Sequence, residues 1–144
     1  MYKIYNTHKW SYEQMRPYSE DLTKAMKKLE AKFPRDINIE EVAYEIAKGQ
    51  QNLWLILDEN QKFCAFLTTE LSRNLKGEKR LTLCQLGGNG GAGLADVLPN
   101  IEQYAKENNV KEILPIGRIG WHKQLKSHGY KPLILKYRKE LIYG

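Results

Sequence analysis

Between residues 19 and 33, SEDLTKAMKKLEAKF, apolar side chains return every third or fourth position. Leu22, Ala25, Met26, Leu29 and Phe33 share one face, and the spacing predicts an amphipathic helix with Ser19 as its N-cap and Pro34 as its stop. NIEEVAYEIAKG predicts a second helix: Asn38 and Glu41 stand at capping-box spacing, Ile39, Val42, Ala43 and Ile46 line one side, and Gly49 ends it. The pattern then changes. LWLILD, KFCAFLTTEL and RLTLCQL are apolar strand candidates separated by ENQ and SRNLKGEK, both suited to turns, and they predict an antiparallel meander. VLPNIEQYAKENN returns to helical spacing. VKEILPIG reads as a short strand, WHKQLKSHG as a short helix closed by Gly129, and KPLILKYRKELI as a last strand. The expectation is one α/β (α+β) domain over residues 1–144, with a central, mostly antiparallel mixed sheet flanked by helices.

Composition narrows the class. The chain has 144 residues, 42% apolar and 28% charged, enough for one adequate core. No apolar run reaches membrane-spanning length and the polar start MYKIYNTHKW does not read as a signal peptide, so a cytoplasmic protein without membrane contact is expected. Cys64 and Cys84 each sit in an apolar run and read as buried thiols, not as a disulfide or a metal site. From Val110 onward eight Lys and Arg stand against two Glu, which accounts for the whole net charge of +6. A basic last third suits an anionic cofactor, an acidic partner or nucleic acid, although no nucleic-acid-binding motif accompanies it; it equally suits a solvated face.

Five of the 11 glycines fall between positions 87 and 93, in LTLCQLGGNGGAGLADV. Glycine admits positive φ and close backbone approach, at about 0.5–1 kcal/mol in regular structure. Successive backbone N–H groups leading into a helix can cradle a phosphate, though the same run also suits a wide turn. Pro99 limits the helix that follows: one starting at Gly90 would carry it in the interior, and one starting near Asp96 leaves a longer loop. Gly88 to Gly93 also spells Gly-x-Gly-x-x-Gly, but too little chain follows for a doubly wound nucleotide fold, and no Gly-Lys-Ser/Thr marks a P-loop.

This order of elements over most of the chain, with a strand running into a glycine loop and a helix, resembles the GNAT family of N-acetyltransferases. QLGGNG matches that family's degenerate loop motif through Gln85, Gly88 and Gly90. The resemblance implies acetyl-CoA or CoA as ligand, held by Gln85, Leu86, Gly87, Gly88, Asn89, Gly90 and Gly91, and an amine acceptor.

GRIGWHKQLKSHGYK departs from the family. Gly129 and Tyr130 match its Gly-Phe pair, but Leu125 stands four residues earlier, where the family carries the Tyr that protonates the departing thiolate, and Arg118 stands near the family's Asn. His122, His128 and Tyr130 are the nearby groups able to exchange a proton, and His122 shares a helical face with Leu125. For the general base that the family resemblance calls for, Glu70 at the end of CAFLTTE is preferred to Glu78 in the turn.

Gly117, Arg118, Trp121 and Gly129–Tyr130 also resemble small phage-encoded GNAT-like proteins of the internal virion protein A type. That likeness implies a non-catalytic module in a virion that binds a protein partner. Trp121 would then be an anchor, or on packing grounds a core residue capping the sheet. The sequence thus leaves two expectations: an acyl-CoA-dependent N-acetyltransferase-like protein with a degenerate active site, or a structural GNAT-fold protein.

Overall fold

The computed structural model describes residues 1–117 and 119–143, the side chains of residues 92 and 119 excepted. The chain begins with strand β1 (Lys3–Asn6), helix α1 (Tyr12–Met15), a 3-10 turn (Arg16–Tyr18) and helices α2 (Ser19–Lys32) and α3 (Ile39–Ala47). Strands β2 (Asn52–Leu57), β3 (Phe63–Arg73) and β4 (Lys79–Gly88) follow, then a 3-10 segment (Gly91–Val97) and α4 (Leu98–Glu107). Strand β5 (Glu112–Pro115), a 3-10 turn (Ile119–Trp121) and α5 (His122–Ser127) complete the order. The sheet runs β1-β2-β3-β4-β5, antiparallel through β4, with β5 parallel to β4. It is the expected mixed, mostly antiparallel sheet with flanking helices.

The density of apolar residues in LWLIL follows from burial on both faces. Successive strand side chains point to opposite sides. Leu53, Leu55 and Leu57 therefore pack with Phe66 and Ala25 under α2, whereas Trp54 and Ile56 join Leu67, Leu81, Leu83, Leu98 and Ile101 under α4. Phe66, Leu55, Ile56, Leu57, Leu81 and Ile101 are fully buried, at about 1.5–3 kcal/mol of stabilisation for each such side chain. The Trp54 indole N–H donates to Thr69 Oγ1 at 2.9 Å, and its ring meets Tyr104 edge-on, so its polar tip does not oppose burial.

Local signals held at several boundaries. The Asn38 side chain accepts from the N–H groups of Glu40 and Glu41, and Gly49 closes α3 at φ 79°. Pro99 occupies the first turn of α4, where a missing N–H costs nothing, because the glycine run first forms a 3-10 segment. Ser19 is not a cap: α2 continues from the turn before it, and the Ser19 hydroxyl donates to the Arg16 carbonyl.

Two differences concern strands. β1, absent from the sequence reading, pairs with β2 from Lys3↔Leu57 to Asn6↔Trp54. KPLILKYRKELI, expected as a last strand, forms none. A strand needs a neighbour for its backbone groups, and this segment is held instead by the Arg138–Asp36 pair at 2.5 Å and the Arg35–Glu140 pair at 2.7 Å. Leu133, Ile134, Leu135, Tyr137, Leu141 and Ile142 are left exposed.

Candidate functional site

The two parallel strands β4 and β5 stay in register only from Arg80↔Glu112 to Leu83↔Pro115, closed by an Ile116 N–H to Leu83 carbonyl bond of 3.0 Å. β4 continues to Gly88, so its edge from Cys84 onward has no strand of β5 opposite it. On the other side, Thr68 pairs with Gln85 and Thr69 with Leu83, which leaves Cys84 as an extra residue in a bulge. The Gln85 N–H accordingly donates to the Thr68 hydroxyl at 3.1 Å, and that hydroxyl donates to Gln85 Oε1.

A cavity of about 660 Å³ opens at this fork. Leu83, Cys84, Gln85 and Leu86 of β4 form one wall, Pro115 to Gly117 with Trp121 and Leu125 another, and Leu94, Ala95, Val97 and Leu98 with Ile101 a third. Lys136, Tyr137 and Arg138 border it from the C-terminal segment. Trp121 and Leu125 are half-buried and pack against the core.

The glycine loop lies at the end of β4, and several of its glycines are required by the protein itself. A Cβ on Gly88, at φ 131°, would stand 2.4 Å from the Cys64 carbonyl oxygen; one on Gly87 would stand 2.7 Å from the Phe66 ring. The Asn89 N–H donates to the same Cys64 carbonyl at 2.7 Å, and the Gly93 N–H to the Gly90 carbonyl at 3.2 Å. Of the donors expected from Leu86 to Gly91, that of Asn89 is therefore engaged internally. Gly91, at φ 51°, faces open space and begins the 3-10 segment, whose first N–H groups have no helical partner.

The remaining sequence candidates separate. Glu70 is exposed and lines a smaller acidic cavity, which shares Gln85 with the large one, but it does not line the large one. His122 and Tyr130 are not among the residues lining either cavity. The Tyr130 hydroxyl donates to Glu102 Oε2 at 2.9 Å; burial first and that bond second push its pKa up. Leu125 stands on the wall of the large cavity with a side chain that has no ionisable proton to give. Arg118 lies outside the described residues.

Cys64 and Cys84 are free thiols, half-exposed at bulges instead of buried. Burial first, then the Glu70 and Glu45 carboxylates, push the Cys84 thiol up to about 11. At neutral pH it is therefore protonated. Sequence reasoning named Leu86 for the ligand but missed Cys84 and Trp121 as cavity walls, because nothing local marks where two strands part. Among the described residues no cluster of His, Cys, Asp and Glu could hold a metal ion, and no helix is long and apolar enough to cross a membrane.

No family model matches the chain, and no curated protein matches it. Solved structures do. The "Putative acetyl transferase from Pyrococcus furiosus" is 20% identical, superposes with a TM-score of 0.67, and the match covers 98% of this chain and 100% of that one. A GNAT family acetyltransferase of Staphylococcus aureus is 13% identical at a TM-score of 0.62, covering 97% and 98%. A "predicted acetyltransferase with acetyl-CoA from Clostridium acetobutylicum" is 11% identical at 0.61, covering 97% and 96%. The fold is that of the GNAT acetyltransferases.

Proposed function

We propose that the protein is an acyl-CoA-dependent N-acyltransferase, acetyl-CoA being the simplest donor. The observation that carries this reading is the fork between β4 and β5, opening onto a large apolar-walled cavity beside a glycine loop. The unpaired edge of β4 from Cys84 to Leu86 fits an extended amide-bearing chain, because it offers strand-type donors and acceptors without a partner. The 3-10 start at Gly91 fits a pyrophosphate, with Gln85 to Asn89 bringing the backbone to that point. The Clostridium structure with acetyl-CoA supports the same ligand.

When bound, an acyl-CoA supplies a thioester carbonyl open to attack by an amine. The chain's own part is to bind, to exclude water and to move protons. The apolar walls at Leu94, Ala95, Val97, Leu98 and Trp121 exclude water. An ammonium has no lone pair, so the acceptor must lose a proton first, and the Glu70 carboxylate takes it. Burial and the Glu70 and Glu45 carboxylates raise the Cys84 thiol, which disfavours it as an acyl carrier and suits a direct transfer. Leu125 offers no proton to the departing sulfur, so turnover is slow: the missing acid is worth about 10²–10⁴ in rate. His122 and Tyr130 would contribute only from outside the cavities.

Isothermal titration with CoA and acetyl-CoA at moderate salt tests the proposal. Saturable binding at about micromolar to tens of micromolar is expected. Absence of binding up to millimolar ligand overturns it.

The exposed apolar side chains from Leu133 to Ile142 favour a second reading. In it the fold is a non-catalytic module that binds a protein partner through this segment, as a virion component would, and not a cytoplasmic enzyme.

A further inference from the structure

Transfer of an acyl group to nitrogen needs an amine within reach of the thioester, and the chain brings one of its own. Of the described residues that line the two cavities, Lys136 is the only one with a primary amine, and it borders the large cavity beside Tyr137 and Arg138. Lys136 is exposed, and among the described residues no hydrogen bond or ion pair engages its ammonium.

The backbone around Lys136 is held in the manner of a bound peptide and not as an element of the fold. Residues 131–143 form no helix or strand, and among the described residues no backbone–backbone hydrogen bond includes them. Asp36 and Arg138 both line the large cavity, so the ion pair between them ties the segment to the cavity's border. The Arg35–Glu140 pair ties it again further along. Lys136 stands just before the first of these ties. Its backbone is thus kept beside the cavity while its side chain stays unengaged.

Tethering turns a collision between two molecules into a local rearrangement, and a well-placed intramolecular amine reacts as if it were present at very high concentration. The four-carbon stem of lysine is flexible, which lets the amine sample the space at the border. Lys139, on the same segment, lines neither cavity.

We propose that Lys136 is a self-acylation site: an acyl-CoA in the large cavity transfers its acyl group to Nζ of Lys136 in the same chain. The inference rests on the transferase reading given above. The ammonium first gives one proton to water, which reaches it because the side chain is exposed. The nitrogen lone pair then forms the C–N bond, and the C–S bond breaks with its electron pair on sulfur. A second proton leaves the nitrogen and passes through water to that sulfur. The products are an amide at Lys136, free CoA and one proton in solution. Acylation removes the positive charge of Lys136 from the cavity border.

Incubating the full chain with acetyl-CoA and mapping its acetylated peptides by mass spectrometry over time tests the proposal. Lys136 is expected to gain an acetyl group at least about tenfold faster than the exposed Lys27, Lys28 and Lys139, at a rate per chain independent of protein concentration. An excess of desulfo-CoA, which has no thioester, is expected to slow labelling of Lys136 and leave the other lysines as they were. Lys136→Arg is expected to remove the fast-labelled site without creating another. Labelling of Lys136 no faster than that of the comparison lysines, unaffected by desulfo-CoA, or rising in rate with protein concentration overturns the proposal. CoA is titrated separately by calorimetry. If CoA binds and Lys136 is not preferred, self-acylation falls and the transferase reading stands; if CoA does not bind, both fall.

Discussion

Leu83 of β4 and Pro115 of β5 form the last register pair before the two parallel strands separate. Proline has no N–H to offer the ladder, and beyond the Ile116 bond to Leu83 the chain leaves the sheet toward Gly117, whose Cα lies so near Leu125 that a Cβ would come within 2.8 Å of Cδ1. The fork is therefore built by the ladder's end on one strand and the Cys84 bulge on the other. Filling it tests its role. Leu86→Trp, on the half-buried cavity wall, is expected to weaken CoA at least about tenfold while lowering stability by no more than about 1–3 kcal/mol. Unchanged CoA affinity, with the variant folded by circular dichroism, would move the binding site away from the fork.

Leu125 stands on the cavity wall where the family resemblance calls for a phenol. Leu125→Tyr restores a proton donor and is expected to raise kcat about tenfold or more over Leu125→Phe, with little change in KM. The phenylalanine variant separates the effect of the hydroxyl from that of ring size. Equal rates in the two would show that Leu125 is not beside the departing sulfur.

Gly88 and Gly91 both have positive φ, but only Gly88 is pressed against backbone. Gly88→Ala is expected to destabilise the chain by roughly 2–4 kcal/mol, because strain and overpacking combine. Gly91→Ala faces open space and is expected to cost only about 1 kcal/mol. Urea unfolding of both variants measures the difference. If it is as large as expected, Gly91 is the cleaner position for probing anion binding, since a Gly88 variant would confound ligand loss with unfolding.

Alkaline pH is expected to destabilise the protein through two groups. The native state holds the Cys84 proton more tightly than the unfolded chain does, with the pKa raised from 9.0 to about 11, so that contribution is complete below pH 9 and lost as pH rises to about 11. Tyr130, raised above its ordinary 10.0 by burial and by Glu102, acts in the same direction at higher pH. Urea midpoints measured from pH 7 to 11 should fall above pH 9, and the fall should shrink in Cys84→Ala and in Tyr130→Phe. Midpoints that are flat or rising in wild type would contradict both shifts.

Much of the fold was legible locally. α2 and α3 were marked by periodicity, the start of α3 by Asn38, and the meander by apolar runs, of which that of β2 is buried on both faces. Pro99 left two starts open for the helix after the glycine run, and the structure takes the later one, because a missing N–H is tolerated near a helix start. β1 was not legible, since four residues carry too little pattern, and the last strand was misread because an apolar run does not supply the edge it must pair with.

The sequence by itself determined helices α2 to α5, the order of strands β2 to β5 and the glycine-rich stretch, because those depend on neighbours a few residues apart. The tertiary structure decided the rest. It set Cys84 in a bulge, parted β4 from β5 after Leu83, pressed Gly88 against Cys64, and brought Glu41, Glu45, Gln51 and Glu70 from three segments to one cavity. Each of these depends on where backbones meet across the sheet, and that distance has no signature along the chain.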